Sequence, residues 1–430
     1  MFKKIIATSA AVLMVAGAAG AAQAATRNIN LYGASAQYLF WNDAADDFLS
    51  TRGCKNIQRA EFDSKNGITQ GEACTGYGDD TVIIRYSAKA SFDGIMAAKN
   101  LEHPDAPTSC SNKAERPMAT DIAATSLSCQ DVTLGASDVA AEAFTQISSG
   151  QLKGPLGGGF VSRDFVANPV DGSGMTTYNP LVVPFAPFVS NNVTMNTCDG
   201  GDLAGEMCSD VTDCGAGATD CTSKPLDNIS REMLVNIFSG QAFYWNDFGA
   251  GFPAEPITVC LRHAGSGTHS TLDHAVMNKK WGASLVVSES ASDPIVYFND
   301  GSSDMMKCIT GNKGVTSPYA IGYADADQLE GGSAYAAFAY GPKYNGFSPT
   351  RVNIRNGLYD WFSAQWMYMN PAEAAPNKAV VTDLVAFAAN PANIPSTKAN
   401  YWAAQDEMTW FKDSDLGYPG YRGAAIPQTP

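Results

Sequence analysis

The stretch VCLRHAGSGTHSTLDHAV, residues 259–276, joins two kinds of local structure. An apolar run stops at the cation Arg262, turns on Gly265 and Gly267, and resumes with helical spacing. A strand that passes through a glycine turn into a helix is the repeating unit of an α/β protein. The same turn suits an anion. The N–H groups of a first helical turn point out along the positive end of the helix dipole, and glycines let backbone come close. Arg262 adds fixed charge and a bidentate fork, and Ser266 and Thr268 add hydroxyls. The residues fit equally a plain helix capped by Ser or Thr, with Arg262 on the surface.

The rhythm repeats along the chain. Residues 28–33 (NINLYG) alternate as a strand, and Ala34 to Leu49 has helical spacing with Tyr38, Trp41, Ala45 and Phe48 on one face. Thr81 to Tyr86 reads as a buried strand, Ser91 to Lys99 as a helix, and Val132 to Ser137 as a strand with Asp138 just past its end. Leu181 to Val189 is an apolar strand interrupted by prolines. The pattern predicts an α/β architecture with mostly parallel sheets flanked by helices. Sites in such sheets lie at the carboxyl ends of strands, where Ser35-Ala36-Gln37, Ser91, Asp138 and the Gly-Ser-Gly-Thr turn all fall. Three segments, 53–80, 103–130 and 196–224, break the rhythm, hold cysteines, and read as stapled surface loops.

Lys3 and Lys4, an apolar run from Ile5 to Ala22 and the site Ala22-Gln23-Ala24 read as a signal peptide over residues 1–24. The expected location is the periplasm or outside the cell, with no lipid anchor. Removing two lysines leaves 26 cations against 43 acids, a net charge of -17. That field excludes nucleic acid as a partner and means that any anion is held by a local device. About 405 remaining residues exceed one core and fit two lobes. Ten cysteines in an exported chain point to disulfides. For Cys198, Cys208, Cys214 and Cys221 zinc stays open, as does calcium on Asp199, Asp202, Asp210 or Asp213, although neither has the usual ligand spacing. Proximity suggests Cys54–Cys74, Cys110–Cys129 and Cys260–Cys308, with the four clustered cysteines pairing among themselves.

Seven stretches in order resemble the periplasmic phosphate-binding proteins of ABC importers, within the type II periplasmic-binding-protein superfamily. They are LYGASAQYLFWNDAADDF, IIRYSAKASFDGIMAAK, VTLGASDVAAEAF, ISREMLVNIFSGQAFYWNDFG, RHAGSGT, SPYAIGYADADQ and NGFSPTRVNIRNGLYDWF, spanning about 28–362. The resemblance implies two lobes, 26–183 plus 327–430 and 184–326, joined by two crossings. It implies a monomer that captures inorganic phosphate between the lobes for an ABC permease complex in the inner membrane, with no enzymatic activity, cofactor or metal. Position by position it assigns ligand contacts to Gln37, Tyr38, Ser91, Asp138, Arg262, Ser266, Gly267 and Thr268. The chain departs from the family at Gln37, where a Thr is usual. It departs again at Ala264, where an Asp usually pairs with the ligand arginine; here Arg262 is expected to keep its full charge for the anion.

A carboxylate only accepts hydrogen bonds. Asp138 therefore suits hydrogen phosphate or dihydrogen phosphate, which carry an O–H, and opposes sulfate, which carries none at neutral pH. Its plainer role is to cap a helix over Val139 to Ile147. His263, His269 and His274 lack metal-ligand spacing, and Ser266 lacks the flanks of a nucleophile elbow. Two rival functions remain: an exported phosphatase-like hydrolase on the same scaffold, and a surface or structural protein that kept the fold and lost the ligand.

Overall fold

The computed structural model describes residues 24–103, 107–149, 164–278, 284–290, 292, 294–311, 319–330, 332–412 and 414–422. The signal segment 1–24 lies outside them, save for its last residue. Two seven-stranded sheets organise the chain. In the first, Thr26–Gly33 runs parallel to both neighbours, Asp80–Ala88 and Leu134–Ser137. In the second, Thr258–Arg262 runs parallel to both Ile295–Asn299 and Ala320–Asp325. These strands are buried on both faces: every residue of Leu134–Ser137, Thr258–Arg262 and Ala320–Asp325 is buried. That is the pattern of parallel strands covered by helices. The helices Tyr38–Thr51 and Ser91–Ala98 form where helical spacing was expected, the first preceded by a single tight turn, Ser35–Gln37.

Within the two large sheets parallel pairing stops at these trios, so both sheets are mixed rather than mostly parallel. The first sheet gains Asn66–Cys74 and Lys55–Asp63 on one side and Trp366–Met369 and Thr176–Tyr178 on the other, all antiparallel. The reason is local. Residues 53–80 hold a hairpin whose second strand pairs with Asp80–Ala88, and a hairpin can only add antiparallel strands. The other two supposed loops are hairpins as well, Glu115–Ala119 with Leu127–Asp131 and Thr194–Gly200 with Ala218–Pro225.

Leu181–Ser190 is one unbroken, fully buried strand despite Pro184 and Pro187. Its first residues pair with Phe362–Ala364 and Ala403–Ala404, and its later ones with Ala320–Asp325 and Ala339–Tyr340. Proline removes a ladder donor, so it is tolerated only where no acceptor waits. Pro184 stands where the partner changes. Pro187 shares its donor side with Phe185 and Asn191, which donate to Trp361 O and Phe338 O, and falls between those two short partners.

Five disulfides form: Cys54–Cys74, Cys110–Cys129, Cys198–Cys214, Cys208–Cys221 and Cys260–Cys308. The proximity pairing holds, and no cysteine is left free. The clustered sulfurs are consumed by bridges, so they are not zinc thiolates. Asp210 and Asp213 cap the turn Val211–Cys214, and Asp199 pairs with Lys224 at 2.6 Å. None of the bridges ties one large sheet to the other. Among the described residues no helix is long and apolar enough to cross a membrane.

Candidate anion site

The carboxyl ends of the two parallel trios face each other, and the chain turns there carry the site. Arg262 is the last residue of its strand and 1% exposed. Its backbone N–H donates to Tyr323 Oη at 3.0 Å, which fixes the strand end. Its Nη2 donates to Asp300 O at 2.8 Å. The other guanidinium contacts are long, 3.5 Å from Nη1 to Ser302 Oγ and 3.5 Å from Nη2 to Ser35 Oγ, and Nε has no partner. Five residues on, Gly267 opens the short helix Gly267–Thr271, which continues to Met277 as a wider π-type turn. Ser266 caps it by accepting from His269 N at 3.3 Å.

Gly267 is where the lobes touch. A methyl there would lie 2.3 Å from Ser91 Oγ and 2.9 Å from Asp138 Cβ, so any side chain would wedge the cleft open. Phe92 N donates to Gly265 O at 3.1 Å across the same seam. The cleft is therefore closed.

Asp138 forms the opposite pole and is 2% exposed. The Ser91 hydroxyl accepts from Asp138 N at 3.1 Å and donates to Asp138 Oδ2 at 3.4 Å. Thr268, from the other lobe, donates to the same Oδ2 at 3.2 Å. Oδ1 is buried with no partner. Burial, then the nearby carboxylate of Asp325, push the Asp138 pKa up to about 7, while Arg262, Thr268 and Gln37 pull the other way.

Asp138 does not cap a helix. The Ala-rich run after it makes one tight turn, Ala141–Ala143, and enters the strand Gln146–Ser149. Tertiary partners override the helical propensity here. Ala140 N donates to Asp415 Oδ2 at 2.6 Å and Ala141 N to Tyr368 Oη at 2.8 Å. Val139, Ala141 and Phe144 pack with Phe92 and Phe165.

Ser91, Asp138, Arg262, Gly267 and Thr268 thus converge, with Ser266 as the cap behind them. Gln37 is buried beside Asp138 and held in its own lobe, donating to Ser137 O at 2.9 Å and accepting from Trp41 Nε1 at 3.1 Å. The Tyr38 hydroxyl turns away, donating to Asp63 O at 3.3 Å. His263, His269 and His274 serve packing: His263 Nδ1 accepts from Gly265 N, His269 Nδ1 meets Tyr323 Oη at 2.5 Å, and His274 Nε2 meets Ala143 O at 2.6 Å.

Ser302 and Asp300 escaped the sequence reading, and Ser35 was placed there at a strand end without being assigned a ligand contact. Asp300 also corrects the expectation that Arg262 lacks a carboxylate partner. Ala264 lies in the apolar cluster of Phe92, Phe144 and Phe165, where a carboxylate would be desolvated. The charge beside Arg262 comes from Asp300 instead. Burial works against its ionisation, but Lys89, Lys65, His263 and Arg262 hold its pKa down to about 2. Lys65 reaches it at 3.2 Å and Lys89 at 3.7 Å, both from the first lobe. A signal existed in the sequence: Ile295 to Asn299 is an apolar run ending at Asp300-Gly301-Ser302, the same strand, glycine and hydroxyl order as Arg262 to Thr268.

Residues 214–392 match the model of a PBP superfamily domain. The span is less than half of the chain and contains Arg262 to Thr268 and Ser302. With it, the architecture is that of a two-lobed periplasmic binding protein with mixed sheets. Among solved structures, an ABC-type phosphate transport receptor from Vibrio cholerae is 13% identical, covering 83% of this chain and 93% of that chain, with a TM-score of 0.40. A phosphate binding protein from Stenotrophomonas maltophilia is 13% identical, covering 85% and 84%, with a TM-score of 0.43. At such identities and scores the likeness carries no argument about ligand. No curated protein is similar enough to count as a match.

Proposed function

We propose that this chain is an exported solute-binding protein that captures inorganic phosphate between its lobes, 26–183 plus 327–430 and 184–326, and delivers it to an ABC permease. The observation that carries the reading is a pair of orphaned buried atoms of opposite kind. Arg262 Nε, with a proton to give, and Asp138 Oδ1, with lone pairs to fill, both lack partners. Buried polar atoms left unpaired cost about 1–3 kcal/mol each, so a ligand that satisfies both is favoured. It must accept strongly at one end and donate once at the other. A protonated tetrahedral oxyanion does so. The first helical turn adds the N–H groups of Gly267 and Thr268, which have no intrahelical partner.

Five disulfides support an oxidising, extracytoplasmic location. Binding rather than hydrolysis is supported by Ser266, whose hydroxyl caps a helix instead of facing a base. Calorimetry on refolded, ligand-stripped protein tests the reading. Phosphate and arsenate are expected to bind, and sulfate to bind roughly 10⁴-fold more weakly. Failure to bind any tetrahedral oxyanion would end it.

Lys65 and Lys89 act on the same equilibrium. They bring first-lobe charge to Asp300 of the second lobe and so favour closure. Their side chains are 40% and 29% exposed, so solvent screens both and the effect is modest. A Lys65→Ala/Lys89→Ala protein is expected to bind phosphate about three- to tenfold more weakly at low salt. The gap should close near 1 M salt, where the screening length is about 3 Å. Parallel salt dependences in the two proteins would remove the latch.

A further inference from the structure

Arg262, Ser35 and Ser302 form a group with too many donors. Ser35 comes from the turn after the first strand of the first lobe, and Ser302 opens the helix Ser302–Ile309 of the second. Their hydroxyls lie 3.4 Å apart and each lies 3.5 Å from a guanidinium nitrogen. A guanidinium only donates, so each serine turns a lone pair toward Arg262 and its proton elsewhere. One serine can donate to the other; the second proton then has no acceptor in the group. Arg262 Nε is in the same position. The acceptors present are Asp300 O and the two hydroxyl oxygens.

The spacing carries the same message. Ordinary O–H···O contacts are about 2.7–2.8 Å and N–H···O contacts about 2.9–3.0 Å. Arg262 Nη2 to Asp300 O is ordinary at 2.8 Å, but all three contacts made by the serines are longer than these by roughly half an ångström, in a place where Arg262 is 1% exposed and Ser35 is half-buried. At these lengths neither hydroxyl has a close partner within the group. The helix behind Ser302 has no side-chain cap at Gly301, so its first N–H groups lie on the donor side too.

We propose that Ser35 and Ser302 are ligand residues, one from each lobe, donating to an oxygen of the bound oxyanion alongside Arg262. This rests on the phosphate reading. It makes the anion a bridge: its oxygen replaces the long Ser35–Ser302 contact with two short ones, so occupancy itself draws the lobes together. It also explains how the site functions with the Gln37 amide held inside the first lobe, since Ser35 supplies a hydroxyl from two residues earlier in the same turn. Two hydroxyls and a guanidinium at one end, with Asp138 at the other, surround a tetrahedral ligand and leave a planar carboxylate unmatched.

The test uses Ser35→Ala, Ser302→Ala, the double variant and Ser302→Thr. Each alanine is expected to weaken phosphate binding roughly tenfold, in line with a hydrogen bond to a charged group. The double variant should release phosphate faster with little change in association rate. The ligand-free melting temperature should stay put, which a packing role would not allow. Ser302→Thr keeps the hydroxyl and should restore most of the affinity. Wild-type protein that binds phosphate while the double variant binds as tightly would overturn the proposal and leave the phosphate reading standing. Wild-type protein that binds no oxyanion would remove both.

Discussion

Asp138→Asn is expected to bind sulfate almost as well as phosphate, where the unaltered protein separates them by roughly 10⁴-fold. An amide both donates and accepts, so sulfate no longer meets a buried acceptor that it cannot satisfy. Phosphate loses less, since the amide oxygen still receives its proton. A second consequence appears without ligand. The Asp138 pKa rises from an ordinary 3.8 to about 7 in the folded protein. Between those values the native state keeps a proton that the unfolded chain has released, so the Asp138 contribution to stability falls as pH rises and is fully unfavourable above about pH 7. At about 1.4 kcal/mol per pKa unit, the effect reaches a few kcal/mol at most. The Asn variant has no such group. Its ligand-free melting temperature should gain on the unaltered protein between pH 4 and pH 8. Equal discrimination of the two anions, with parallel pH profiles, would show that Asp138 is structural.

The sequence made the centre of the molecule legible and its margins not. The first parallel trio, and the central strand of the second, were readable as apolar runs ending in turns, and those turns carried chemically distinct residues: Ser91, Asp138, Arg262. The hairpin Lys55–Asp63 with Asn66–Cys74 gave no such signal, because its outer strand is exposed or half-buried along its whole length and has no alternation to read. The run after Asp138 misled for the opposite reason. Its local preference was helical, but Asp415 and Tyr368, more than 200 residues away, take the N–H groups that a helix would have used. Pro184 and Pro187 misled because a proline's effect depends on whether a neighbour waits opposite it, and pairing partners are not written in the strand. Local bridges such as Cys54–Cys74 were readable, since a hairpin brings its own ends together. Asp300 and Ser302 were missed because they matter only through Arg262, 38 and 40 residues earlier.

Arg262→Ala is expected to weaken phosphate binding on the order of 10³-fold, more than any other single change in the site. Arg262 is the only guanidinium among the converging residues, and it links three features that separate variants would remove one at a time. It offers the orphaned Nε, it organises Ser35 and Ser302, and its charge lowers the Asp138 pKa. Without it, Asp138 shifts further toward its protonated form, which accepts the ligand's proton more weakly than the carboxylate does. Arg262→Lys separates charge from shape. A lysine keeps the positive charge but is a point donor without a fork. It cannot hold Asp300 O and both serines together, so it should recover only part of the loss, with an affinity between those of the other two proteins. The fold should survive, because Lys65 and Lys89 still face Asp300 when the guanidinium is gone. The measurements are phosphate calorimetry and circular dichroism on all three proteins at pH 7. Arg262→Ala binding within tenfold of the unaltered protein would mean that the anion sits elsewhere, and that the closed seam around Gly267 is held by lobe contacts alone.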